Sequence, residues 1–148
     1  MLITKADLQD LQEILDLQHL VYLSEAALFG TTNIQPLTET LDELTEEFNN
    51  GVVLKMTDDA GVITGSVRGY VEGSTLHIGK LMVHPDHQGR GYGSQLVTAI
   101  EELYPGMRYE LFTSTRSVKN IRLYNRLGYN EFDRRPVDDE LIFVYLEK

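Results

Sequence analysis

The chain has 148 residues, 42% of them hydrophobic, and no cysteine. That suits one domain, residues 1–148, with a real core, and it excludes disulfides, thiolate metal sites and any route through an acyl-cysteine. A formal net charge of −10 repels phosphate backbones, so no nucleic acid partner is expected; protonated amines are attracted instead.

No run of about eighteen apolar residues is present, so no membrane-spanning helix is expected. The opening MLITKADLQDLQEIL turns polar within a few residues and lacks the apolar centre of a signal peptide. The cytoplasm is the expected location.

Leu2 to Thr4 reads as a short strand. From Asp7 onward, Leu8, Leu11, Ile14, Leu15 and Leu17 keep a helical rhythm that breaks around Gly30. Thr38 is expected to cap a second helix, with Leu41, Leu44 and Phe48 on one face and Gly51 ending it. At Val52 the period changes. Val52 to Thr57, Val62 to Glu72 and Thr75 to Val83 read as three strands of an antiparallel meander, joined by turns at Asp58 to Gly61 and at Gly73. Gln95, Leu96, Val97, Ile100 and Leu103 mark a helix ended by Pro105 and Gly106. Tyr109 to Ser114 reads as a strand, Asn120 to Leu127 as a helix stopped by Gly128, and Asn130 to Arg134 and Leu141 to Leu146 as closing strands. The fold class is α/β, with a mixed, mostly antiparallel sheet flanked by helices.

Between the third strand and the next helix lies HPDHQGRGYG, His84 to Gly93. A metal is not expected there. His84 and His87 flank a proline, so they do not share a helical face, and Asp86 is the only nearby carboxylate. The glycines carry more information. Gly89, Gly91 and Gly93 remove side chains where the first N–H groups of a helix point outward without intrahelical partners. Such donors, with the helix dipole, bind phosphate oxygens. Arg90 adds a cation at the rim. On spacing alone a glycine-rich turn without a ligand stays open. No G-x-x-x-x-G-K-[ST] run exists, which excludes a P-loop. Gly89-x-Gly91-x-x-Ser94 approaches the dinucleotide fingerprint, but His84 to Gln88 separate it from the strand and Glu110 begins the next strand instead of ending it.

Gln88-Gly89-Arg90-Gly91-Tyr92-Gly93 resembles the Q/R-x-x-G-x-G/A loop of the GCN5-related N-acetyltransferase (GNAT) superfamily. The likeness extends upstream through KLMVHP, Lys80 to Pro85, and downstream to NIRLYNRLGYNEF, Asn120 to Phe132, and is closest to a bacterial small-domain subset. It implies acetyl-CoA as cosubstrate. By motif position, the main chain of Leu81, Met82 and Val83 pairs with the pantetheine arm, and the N–H groups from Gln88 to Ser94 hold the pyrophosphate. Asn120 and Tyr124 lie near the pantetheine and the sulfur. Relatives also use a bulge to splay the central strands, and Gly79 invites one. Lys80 is expected to face solvent.

Without cysteine, the expected chemistry is direct attack of an amine on the thioester. A lysine-like amine with pKa near 10.4 is neutral in only about one molecule per thousand at pH 7, so a general base helps. Tyr124, one turn after Asn120, is the candidate hydrogen-bond donor to the leaving sulfur. Full proton transfer from an unperturbed phenol to a thiolate is uphill by about 2 kcal/mol. Many relatives carry a glutamate eleven residues before the Q/R; that position is His77 here, a candidate base, and because side chains alternate along a strand His77, Gly79 and Leu81 are expected to share a face.

The substrate end is expected to draw on Tyr22, Glu25, Arg68, Tyr70 and Glu72, where the glutamates suit a cationic acceptor and Arg68 a carboxylate. Two other readings remain at this stage. One is an acyl-CoA sensor of the same fold without turnover, and the other a nucleotide-dependent oxidoreductase. Dimerisation is common among relatives, but no stripe in the chain marks a dimer face.

Overall fold

The computed structural model describes the backbone of residues 1–148 and every side chain except that of Phe29. Seven strands form one sheet: β1 Leu2–Lys5, β2 Val52–Thr57, β3 Ile63–Glu72, β4 Thr75–Val83, β5 Arg108–Ser114, β6 Asn130–Pro136 and β7 Ile142–Glu147. Their order across the sheet is β1-β2-β3-β4-β5-β7-β6. Every neighbouring pair is antiparallel except β4 with β5. The chain makes that parallel step through a helix, α4 Tyr92–Leu103.

Helices cover both faces. On one, α1 Leu11–Phe29 and α3 Leu41–Asn50 bury Leu11, Ile14, Leu15, Leu17 and Leu44 against Val53, Ile63 and Met82. On the other, α4 and α5 Val118–Arg126 enclose Val67, Leu76, Ile78, Leu96, Ile100, Leu111, Tyr124 and Leu146. Apolar burial on both faces of the central strands sets the sheet's position.

The expected cap at Thr38 moves. Thr38 instead closes the four-residue helix α2 Gln35–Thr38, which Pro36 initiates. Thr40 caps α3: its Oγ1 accepts from the Glu43 N–H at 3.2 Å, and the Glu43 carboxylate accepts from the Thr40 N–H at 3.0 Å. Only Thr40 has a glutamate three residues on, so only it can close this reciprocal pair. Similarly, Leu8–Asp10 form a 3-10 turn and the α-helix proper starts at Leu11.

Strand β4 carries the departure that shapes the site. Arg68 of β3 pairs with Gly79, but Ser66 pairs with Met82, so one residue of β4 is extra. Lys80 takes it up at φ +51, the one non-glycine residue on the positive side. That conformation costs a non-glycine residue about 1 kcal/mol. The bulge also inverts the alternation. Leu76 and Ile78 pack on the α4 side, whereas Met82 belongs to the α1 side and Leu81 and Val83 take over the α4 side. His77 and Leu81 therefore lie on opposite faces, contrary to regular alternation.

Candidate active site

Strands β4 and β5 pair over only Thr75–His77 with Arg108–Glu110 and then separate. Beyond His77 the outer edge of β4 has no strand partner, while β5 continues paired with β7. A cleft of about 1490 Å³ fills the gap, lined by Ile78 to Val83 from β4 and Leu111 to Ser114 from β5. The main chain of Leu81, Met82 and Val83 borders it on an edge without a strand partner, where an extended ligand that carries amides of its own can lie alongside.

One end of the cleft meets the N-terminus of α4. Gly91, its N-cap, stands at φ +84 and has no side chain to satisfy the helix's first N–H groups. Gly89 is also on the positive side, at φ +77. The space where either glycine's Cβ would stand is open, so both positions admit the close approach of a ligand. Gln88, Gly89, Gly91, Tyr92, Gly93 and Ser94 all border the cleft. The Gln88 side chain donates to the Val83 carbonyl at 2.9 Å and ties the loop to the end of β4. Arg90, expected at the rim, is exposed and does not line the cleft. His84 accepts the Asp86 N–H at its Nδ1 (3.1 Å), a turn-forming contact.

Helix α5 closes the opposite wall. Asn120 Nδ2 donates to Thr113 Oγ1 at 3.3 Å, and Tyr124 follows one turn later, buried but bordering the cleft. Burial, with the Glu25 carboxylate adding to it, raises the Tyr124 phenol well above its ordinary value. A lowered pKa, the condition for easy proton transfer to a thiolate, is not what this wall supplies. Lys119, Arg122 and Arg126 also line the cleft from α5. Their i, i+3, i+7 spacing was a readable sign of one basic face, missed in the sequence.

Another part of the cleft gathers most of the expected substrate residues. Tyr22 and Glu25 of α1 border the cleft, and Glu25 accepts from Ser117 Oγ at 2.7 Å, joining α1 to the start of α5. Tyr70 stacks on His77 with ring centroids 4.9 Å apart. His77 Nδ1 lies 3.4 Å from Glu110 Oε2, and Glu110 also accepts from Arg108 at 2.8 Å. His77 and Glu110 thus hold the last paired rung before the strands part. Glu72 is placed differently: it is exposed at the β3–β4 turn, outside the cleft.

Arg68 is buried with its guanidinium already engaged. Nη1 donates to Glu39 Oε1 at 3.2 Å and to Glu47 Oε2 at 3.1 Å, and Nη2 donates to Gln18 Oε1. Gln18 in turn donates to Glu39 and to the Pro36 carbonyl, both at 2.8 Å. This fork is filled by the protein, which leaves it poorly disposed to take a substrate carboxylate. Burial tends to raise Glu39, but hydrogen bonding from Glu47, the Arg68 charge and Gln18 outweigh it and hold Glu39 at about 2. Burial and the neighbouring Glu39 push Glu47 up to about 7, against the pull of Arg68 and Lys80. Lys80 does not turn to solvent. Burial lowers its pKa, and the charges of Glu39, Arg68, Glu47 and Glu43 act on it as well. Sequence reasoning had no hold on this cluster, whose members come from four separate segments.

The acetyltransferase (GNAT) family model matches residues 11–129, most of the chain. The chain belongs to that family. It is an acetyl-CoA-dependent acetyltransferase. Among solved structures, a PaiA N-acetyltransferase from Thermoplasma acidophilum in complex with coenzyme A superposes with TM-score 0.81 at 14% identity, covering 97% of this chain and 96% of that one. The ribosomal-protein-S18-alanine N-acetyltransferase of Escherichia coli gives 0.80 at 15%, covering 99% and 91%. A phosphinothricin acetyltransferase from Sinorhizobium meliloti in complex with acetyl-CoA gives 0.76 at 14%, covering 99% and 86%. At these identities the likeness speaks for the GNAT fold. No curated protein matches the sequence.

For this GNAT chain, Gly91→Ala is expected to cost about 1–2 kcal/mol, because an L side chain is strained in the left-handed region. It should also weaken acetyl-CoA binding, since the added methyl occupies the open space beside the α4 donors. Thermal melts and calorimetric titration measure the two effects.

Proposed function

We propose that this single-domain protein transfers the acetyl group of acetyl-CoA directly to a primary amine, and that the acceptor is a small cationic molecule. The observation that carries this reading is the cleft between β4 and β5, with an uncapped helix N-terminus at one end. Charge is distributed along it in a matching sense. Lys119, Arg122 and Arg126 lie on the wall continuous with Asn120 and suit phosphates; Glu25, Glu46, Glu47, Glu110 and Glu140 line other parts and suit an ammonium.

In this reading the N–H groups from Gln88 to Ser94 bind the diphosphate, and Leu81 to Val83 align the pantetheine. Asn120 and Tyr124 flank the sulfur, Tyr124 as a hydrogen-bond donor. Its raised pKa makes full transfer of its proton still more uphill than for a free phenol, so its contribution is to stabilise negative charge growing on sulfur. Tyr22, Glu25, Tyr70 and His77 form the acceptor wall. Among the described residues no helix is long and apolar enough to cross a membrane, and a cytoplasmic setting fits the reading.

The test is thiol release from acetyl-CoA in the presence of 1,4-diaminobutane, L-lysine, a lysine-containing peptide and kanamycin. Amine-dependent release is the expected result, strongest with a small polycation. Tight acetyl-CoA binding without release with any amine favours the alternative, a sensor of the same fold.

A further inference from the structure

An ammonium acceptor must lose a proton before its nitrogen can attack, and this inference rests on the acceptor being such an amine. His77 and Glu47 both border the part of the cleft assigned to the acceptor and can take that proton. The Nδ1 of His77, however, faces Glu110, and its ring is stacked on Tyr70. Helix α3 carries Glu47 to the cleft wall, where its side chain is 40% exposed while Arg68 behind it is almost wholly buried. Arg68 pairs across the sheet with Gly79, the residue just before the bulge where β4 leaves regular pairing. The Glu47 carboxylate is therefore open to the cleft on one side and anchored beside the strand separation on the other.

We propose that Glu47 is the catalytic base that takes the proton from the acceptor ammonium, and that Arg68 and Glu39 are positioning residues that hold its carboxylate. Glu39 shares the Arg68 Nη1 with Glu47, and its second oxygen, Oε2, is buried with no partner among the described residues. An acidic hydrogen on Glu47 can satisfy that oxygen, so the pair is built to hold one proton. The groups facing Glu47 are Glu39 before α3, Glu43 and Glu46 on α3, Arg68 and Tyr70 on β3, and Lys80 on β4, with Glu110 on β5 beyond Tyr70. Burial and Glu39 outweigh Arg68 and Lys80 there, which places the carboxyl's titration near neutrality, where a base is most effective.

The proton count closes. The ammonium gives one proton to the Glu47 carboxylate, the neutral nitrogen forms the new C–N bond, and the C–S bond breaks to release the thiolate. The proton remaining on the acetylated nitrogen passes to the thiolate, and Glu47 returns its own to solvent.

Glu47→Gln keeps shape and removes the base. The assay is kcat/KM from pH 5.5 to 10, with whichever of 1,4-diaminobutane, L-lysine, the lysine peptide or kanamycin the wild type turns over fastest. In the wild type, kcat/KM should rise with pH to about 7, where Glu47 becomes ionised, and level off above it. The Glu47→Gln rate at pH 7 should be at least about a hundredfold lower and should keep climbing toward pH 10 or so, following the neutral amine alone. Asp42→Asn removes a carboxylate of the same helix that is exposed and does not line the cleft, and should retain the plateau. Glu47→Asp, which withdraws the carboxylate, should retain it at a lower rate. A plateau that survives in Glu47→Gln, or that is lost in His77→Ala instead, overturns the proposal. A carbon-13 NMR titration needs no acceptor: one glutamate carboxyl should titrate near pH 7 and be absent from Glu47→Gln, and its absence from the wild type also overturns the proposal. Failure of the underlying reading looks different, as acetyl-CoA binding without amine-dependent thiol release.

Discussion

Tyr124→Phe is expected to lower kcat about a hundredfold, the usual effect of removing one donor aimed at developing negative charge, with little change in acetyl-CoA affinity. The phenol is buried among the side chains of α5 and the sheet but borders the cleft, and it turns toward the same side as Asn120 one helical turn earlier. Low polarity around the group has two consequences. It raises the phenol's pKa, so the proton stays on oxygen, and it strengthens the hydrogen bond that oxygen can donate. None of the causes of the shift is a hydrogen bond to another described side chain, so Phe should not orphan a partner. The melting temperature is therefore expected to stay within a few degrees of the wild type. Steady-state kinetics, calorimetry and a thermal melt separate these effects. A fall in affinity equal to the fall in kcat/KM would instead assign Tyr124 to holding the coenzyme.

Arg68→Ala is expected to destabilise the protein by about 3–5 kcal/mol, the range for breaking a buried ion pair from one side. For a chain of this size that lowers the melting temperature by about 10 °C. Glu39 is the reason. Its side chain is fully buried and one oxygen already lacks a partner, so without Arg68 it is left as an uncompensated buried charge. Glu47 also loses its anchor, and activity should fall with stability. The pH dependence gives a signature. Glu39 titrates at about 2 when folded, against an ordinary value of 4.5, so its stabilisation is present above pH 4.5 and is lost as pH falls toward 2. The gap between wild type and variant should shrink over that window. Arg68→Met combined with Glu39→Gln should recover part of the loss, because it removes both charges together.

Much of this architecture is written locally. The meander, the helix after the glycine loop and the final strand pair all follow from apolar period and turn residues, and the loop's open shape follows from where Gly89 and Gly91 fall relative to the start of α4. Thr40 was readable too, since Glu43 stands three residues on; Thr38 lacks that partner. The bulge was legible only in part. Gly79 marks its position, yet the residue that adopts the unusual conformation is Lys80, whose side chain gives no such sign. One extra residue there is enough to send His77 and Leu81 to opposite faces. The Gln18–Glu39–Glu47–Arg68 cluster was not legible, because no local pattern links side chains up to fifty residues apart. Arg68 lies within the buried stretch of β3, Ile63 to Gly69, and a charge there must be answered from within the fold.

The account depends most on the open N-terminus of α4 as the seat of the coenzyme's diphosphate. Its most direct measurement is calorimetric titration with coenzyme A and, in parallel, with pantetheine, which has the same arm but neither the diphosphate nor the adenosine 3′-phosphate. Each is repeated on Gly91→Ala, which should weaken coenzyme A alone. Coenzyme A should bind one per chain, and pantetheine at least about a hundredfold more weakly, the loss expected when two charge-assisted hydrogen bonds disappear. Equal affinity for the two, or no heat with coenzyme A, would contradict the account.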